Sequence, residues 1–113
     1  MTTGVTAPLG FRAAGITAGL KESGKPDLAV VVNDGPSSAA AAVFTSNRCK
    51  AHPVLWSEQA MKGGTAKAVV LNSGGANCYS GPDGFAATHR TAEVAAELLG
   101  IGYLDIDQIE AAV

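Results

Sequence analysis

His89 and Glu93 stand four residues apart, a spacing that puts two side chains one turn apart on the same face of a helix. An imidazole and a carboxylate so placed suit a proton relay or two corners of a metal site. Two ligands without a third or fourth make a poor site, and His52, the other imidazole, precedes Pro53 in an extended stretch. The spacing therefore favours a structural histidine paired with Glu93. Asp105-Ile-Asp107 opens like a calcium loop but lacks the glycine and the closing glutamate. Cys78, between Asn77 and Tyr79, has no cationic neighbour in sequence that would make it a reactive thiolate. Gly19-Leu-Lys-Glu-Ser-Gly-Lys25 has the spacing of a phosphate loop, yet Pro26 stands where a hydroxyl would hold Mg²⁺, and a strand follows instead of a helix. No nucleophile with its base can be assembled, so no catalytic residue, metal or cofactor is assigned to this chain.

The segment best suited to building a site is Ala68-Val-Val-Leu-Asn-Ser-Gly-Gly-Ala-Asn77, a short apolar run that breaks into small residues. Val69, Val70 and Leu71 read as a strand buried on both faces. The loop that follows can approach a ligand or another chain with its backbone, because glycine has no Cβ and reaches positive φ freely. Asn72, Ser73, Gly74, Gly75 and Asn77 are thus the candidate substrate-binding residues, acting through the backbone.

These residues sit in a chain of 113, a length that suits one compact domain spanning 1–113. Only six side chains are aromatic and alanines abound, so close packing of small groups must supply much of the stability. The formal charge of −2, with scattered Lys and Arg, offers no basic stripe for nucleic acid. No apolar run approaches a membrane span, and the N-terminus lacks the features of a secretory signal. Cys49 and Cys78 form no CxxC pair. A soluble, cytoplasmic protein with reduced cysteines is expected.

Several elements must position the loop. Phe11 to Leu20 reads as an extended strand, Lys21 to Pro26 as a polar turn, and Leu28 to Asn33 as the clearest strand. Asp34-Gly35 signals a hairpin, so Ala40 to Thr45 is expected to return as its partner strand. Val54 to Trp56 is a short apolar segment, Ser57-Glu58 opens a brief helix, and Gly63-Gly64 stops it. A strand over Ala66 to Leu71 precedes the loop. Asp83 is the expected N-cap of a helix from Gly84 to Leu99, with Phe85, Thr88, Ala92, Ala95 and Leu99 on its apolar face. The tail from Tyr103 is a turn of helix or a further strand.

In order along the chain, Gly10-Phe-Arg-Ala-Ala-Gly-Ile16, Asp34-Gly-Pro36, Ala42-Val-Phe-Thr-Ser-Asn-Arg48, Pro53-Val-Leu-Trp-Ser57, the Ala68–Asn77 segment and Gly81-Pro-Asp-Gly-Phe85 with Thr88-His89 resemble one family. It is the ornithine acetyltransferases of arginine biosynthesis, also called glutamate N-acetyltransferases. The resemblance runs from about Gly4 to Glu97. It implies an α/β fold of that acyltransferase type, a mixed sheet layered with helices, and transfer of an acetyl group from N-acetylornithine, or from acetyl-CoA as co-substrate, to glutamate. It also implies a longer precursor that cuts itself at an Ala-Thr bond, so that the freed threonine of a second chain becomes the nucleophile. A Thr-Gly pair supplies the oxyanion hole. Neither motif can be placed in these residues. The chain then resembles the N-terminal part of the first subunit, a partial domain whose partners are the rest of a hetero-oligomeric enzyme and small amino-acid substrates. The sequence departs from the family where Tyr79 occupies a small position. The alternative is a stand-alone, non-catalytic binding module built on the same fold.

Overall fold

Leu28–Asn33 is the most β-prone stretch of the chain, three consecutive valines among them, and it forms β2 at the heart of the sheet. The structure is a computed structural model describing residues 4–74 and 81–111. β1 (Phe11–Ile16) pairs antiparallel with β2, Phe11 opposite Asn33 and Ile16 opposite Leu28. On the other side β3 (Ala68–Ser73) pairs antiparallel with β2, Leu28 opposite Asn72. β4 (Ile106–Ala111) pairs parallel with β3, Ala68 opposite Ile106. The sheet is therefore mixed, in the order β1-β2-β3-β4, as the α/β reading requires. The tail expected to be helical turn or strand is both: a short 3₁₀ turn at Tyr103–Asp105, then β4.

Two helices cover parts of this sheet. α1 (His52–Ala60) begins earlier than the sequence suggests, absorbing the Val54–Trp56 segment. Pro53 explains the difference: at the first turn its missing N–H would have no intrahelical partner anyway. The amides of Val54 and Leu55 both donate to the Ala51 carbonyl. The helix passes into a 3₁₀ turn and ends at Gly64, whose φ of 70° only glycine adopts without strain.

α2 (Gly81–Leu99) crosses from β3 to β4, as a parallel pair demands. It starts three residues before the expected Gly84, so Asp83 lies within its first turn and is not the cap. Its buried face is Gly84, Thr88, Ala92 and Ala96, a strict i, i+4 row of small residues, with Ala95 and Leu99 packed beside it. Phe85, expected on that face, is 57% exposed. The small row lets the helix come close to its neighbours, and the core forms where Ala96 meets Ala68, Val70 and Ile106.

The expected hairpin return over Ala40 to Thr45 is absent. Both edges of β2 are already taken, by β1 and β3. What remains is a single bridge between Ala39 and Thr65. Asp34 instead turns back to β1: its amide donates to the Gly10 carbonyl at 2.7 Å, and its carboxylate accepts from Arg12 Nε at 2.5 Å and Nη2 at 2.9 Å.

Among the described residues β4 closes the sheet with one edge unpaired by any strand, a hazard for misassembly. Side chains of α1 cover it. Trp56 Nε1 donates to the Ile106 carbonyl at 3.0 Å, Ser57 Oγ donates to the Gln108 carbonyl at 3.0 Å, and the Gln108 amide donates back to Ser57 Oγ at 2.9 Å. Gln108 then reaches α2, donating from Nε2 to the Thr88 carbonyl at 2.9 Å.

Candidate functional site

Asn72 and Ser73 form the carboxyl end of β3, with Gly74 just after it, beside the end of β4, where the register sets Asn72 against Glu110 and Ser73 against Ala111. β3 is antiparallel to β2 on one side and parallel to β4 on the other, so its carboxyl end lies beside that of β4. Asn72 and Ser73 are half-buried and Gly74 is exposed. Gly75 and Asn77, the other two candidates, and Cys78 lie outside the described residues.

Gly74 has a φ of 96°, and a Cβ there would stand 2.6 Å from Lys21 Cγ and 3.3 Å from the Leu20 carbonyl oxygen. Glycine is thus required by conformation and by contact. The neighbour that presses on it, the Ala18–Lys21 loop, is held by Asp27, a residue the motif reading passed over. Asp27 is 3% exposed, and its carboxylate accepts from the amides of Ala18 at 2.6 Å, Leu20 at 2.6 Å and Lys21 at 3.0 Å. Those amides, Ala18 foremost, hold the carboxyl below the usual carboxylate range against the opposing effect of burial. The Asp27 carbonyl in turn accepts from the Ser73 amide at 2.9 Å. One acidic residue therefore ties the loop to the end of β3. Its signal in the sequence is a lone Asp between a glycine-rich turn and an apolar strand.

This geometry gives a physical reason why Gly19 to Lys25 is no phosphate loop. Amides that would face a phosphate already face a carboxylate within the protein.

The remaining titratable candidates lie elsewhere. His89 Nδ1 sits 2.7 Å from Glu93 Oε1, the pairing the spacing suggested. Its ring packs edge-on to Trp56 at 5.1 Å, in a cluster with Phe85 and Tyr103 that joins α1 to α2. His52 packs against Phe85 in the same cluster. Asp105 accepts from Thr65 Oγ1 at 3.2 Å. Asp107 is opposite Val69 in the register, and burial raises its carboxyl above the usual range. Among the described residues no group of three His, Cys, Asp or Glu could hold a metal. No helix among them is long and apolar enough to cross a membrane. Among the described residues the candidate site offers backbone groups, the side chains of Asn72 and Ser73, and the nearby Lys21.

The profile of the ArgJ family matches residues 12–109. A Streptomyces coelicolor protein named arginine biosynthesis bifunctional protein ArgJ is 69% identical over 98 residues, which are 87% of this chain and 26% of that protein. Its Mycobacterium tuberculosis namesake is 57% identical over 110 residues, 97% of this chain and 27% of the relative. The chain thus spans about a quarter of the length of the curated relatives it matches. Among solved structures, the ornithine acetyltransferase of M. tuberculosis complexed with ornithine superposes with a TM-score of 0.94 at 52% identity, covering 97% of this chain and 60% of that one. The ArgJ protein of Bacillus halodurans superposes with a TM-score of 0.85 at 31% identity, covering 93% and 55%.

Proposed function

This chain belongs to the ArgJ family, and from that premise we propose that it is the N-terminal part of an enzyme that transfers an acetyl group from N-acetylornithine, or from acetyl-CoA, to glutamate in arginine biosynthesis. The observation that carries this reading is the 0.94 TM-score against an ornithine acetyltransferase at 52% identity. In this reading the enzyme is made as one precursor that cuts itself, and the new N-terminal threonine of the second chain is the nucleophile. Its hydroxyl attacks the acetyl carbonyl as its own amine takes the proton. The bond to ornithine nitrogen breaks, and the acetyl group passes through the threonine ester to the glutamate amine. A Thr-Gly pair beyond these residues stabilises the oxyanion.

The part assigned to this chain is positioning. The end of β3 at Asn72, Ser73 and Gly74, continuing into Gly75 and Asn77, borders the substrate site by backbone approach. Asp27 fixes that border by holding the Ala18–Lys21 loop against it. Positioning groups without a nucleophile form no acyl-enzyme, so the 113 residues alone turn nothing over.

The test is a native mass spectrum of the protein captured from its own cells through this segment. Two associated chains, the second beginning with threonine, support the reading. A lone species with the mass of this chain overturns it and favours a stand-alone binding module.

A further inference from the structure

Three backbone amides converge on one carboxylate. Asp27 Oδ1 accepts from Ala18 at 2.6 Å, and Oδ2 accepts from Leu20 at 2.6 Å and Lys21 at 3.0 Å. Gly19, between the first two donors, has a φ of 92°, and a turn of this kind aims neighbouring amides into one concavity that suits an anion. Two oxygens taken by separate amides make a seat for a planar carboxylate rather than for a spherical ion. No cation shares the work. The turn carries Lys21, Glu22 and Lys25, β1 adds only Arg12, and β2 and β3 add no charge. Among the described residues none of these cations pairs with Asp27, and Arg12 is engaged by Asp34.

Asp27 is also where three strand ends meet. Its amide donates to the Ile16 carbonyl at 3.0 Å, at the end of β1, and its carbonyl accepts from the Ser73 amide at 2.9 Å, at the end of β3. The turn that it seats presses on the next residue, Gly74, whose Cβ would stand 3.3 Å from the Leu20 carbonyl oxygen. The backbone leaving β3 is therefore set on one side by a bond to Asp27 and on the other by a loop that Asp27 holds. The amides recognise only the charged oxygens, not the chain that carries them. Asp27 is buried, so an empty seat would leave three amides unpaired, which drives the loop out of place.

We propose that the Ala18–Lys21 turn is a carboxylate-binding seat with Asp27 as its built-in ligand, and that its occupation sets the affinity of the acetyl-transfer site for its amino-acid substrates. Asp27 is thus a positioning residue that touches no substrate. The inference rests on the reading of the end of β3 as the substrate border. It has a consequence that simple packing lacks: a small free carboxylate replaces the side chain. Asp27→Ala keeps the Cβ and removes the carboxylate, leaving a space that matches formate.

The test uses the whole enzyme from the full gene, its Asp27→Ala variant made and purified in formate. Formate is then dialysed away and returned in steps, with sodium chloride keeping the ionic strength constant. Without formate, the KM for glutamate and for N-acetylornithine is expected to stand about tenfold or more above wild type. Added formate lowers it toward wild type, while kcat moves by less than about threefold. A general loss of folded enzyme lowers kcat and leaves KM alone, and that pattern overturns the inference. So do a KM that formate does not lower, an equal response of the wild type to formate, and a variant that formate does not assemble. An active wild type whose Asp27→Ala variant ignores formate sinks this inference alone. A wild type that moves no acetyl group to glutamate sinks the proposed function as well.

Discussion

The hydroxyl of Ser57 on α1 and the backbone of Gln108 on β4 exchange two hydrogen bonds, 3.0 Å to the carbonyl and 2.9 Å from the amide. A single side chain thus does for an edge strand what a neighbouring strand would do, and it does so from 51 residues away in sequence. With Trp56 on the Ile106 carbonyl, α1 becomes the border of the sheet and keeps it from pairing with another chain.

Ser57→Ala removes both bonds and leaves a buried amide and carbonyl unpaired. The expected loss is roughly 1–3 kcal/mol of stability, read as a lower urea midpoint with an unchanged slope. Gln59→Ala, at an exposed position two residues on, is the control and should stay within about 0.5 kcal/mol. A Ser57 variant as stable as the control would show that these bonds contribute nothing.

Asp27 and the pH below neutrality provide a second test. Its folded carboxyl lies below the usual range, while an unfolded aspartate titrates near about 3.9. Between those two values the unfolded chain binds the more protons, so stability is fully present above the unfolded value and declines as pH falls through the folded one. Melting temperature followed from pH 7 to pH 3 should drop at the acid end. In Asp27→Asn the melting temperature should be lower at pH 7 and that part of the acid drop should disappear. An unchanged profile would exclude the carboxylate as the anchor of the Ala18–Lys21 loop.

Asp107 has the opposite sign. Among the described residues its buried Oδ1 has no hydrogen-bond partner, and burial raises its carboxyl. The folded state then holds its proton more tightly, so this group costs stability as pH rises from the unfolded value of about 3.9 through the folded one. Asp107→Asn should raise the urea midpoint of this chain at pH 7, with the gain shrinking toward pH 3.5. A loss of stability at pH 7 would show that the carboxylate has a favourable partner.

Gly74 tests the border of the site. Gly74→Ala places a side chain at a φ of 96° and against Lys21, at an expected cost of about 1–3 kcal/mol for the backbone alone. Lys21→Ala removes the flexible side chain in the way, so the double variant should recover at least about 0.5 kcal/mol relative to additivity. Strict additivity would mean that the loop does not press on this residue.

The elements legible in the sequence were those with strong local patterns. Leu28–Asn33 and Ala68–Ser73 are apolar, β-branched runs bounded by turn residues, and Gly81–Leu99 carries the period of a helix. The readings failed where the deciding partner was remote. Asp34-Gly35 has the local signature of a hairpin, yet β2 had no edge left for Ala40 to Thr45 to join. Phe85 fits an apolar helix face by spacing, but the row from Gly84 to Ala96 packs closer because its side chains are small. In the candidate site, Asn72, Ser73 and Gly74 were visible as a break from apolar to small residues. Asp27 was not, because a carboxylate that binds amides six to nine residues behind it looks like any other turn aspartate.

By itself the sequence determined the kind of elements, the glycine-rich end of β3 and the resemblance to one acetyltransferase family, since all three reside in residue types and their order. Only the tertiary structure decided which strands meet, that Ser57 stands in for a strand, and that Asp27 holds the loop beside Gly74. The physical reason is common to all three. A hydrogen bond or a packed surface is a property of a pair, and the members of these pairs are brought together only when the chain has folded.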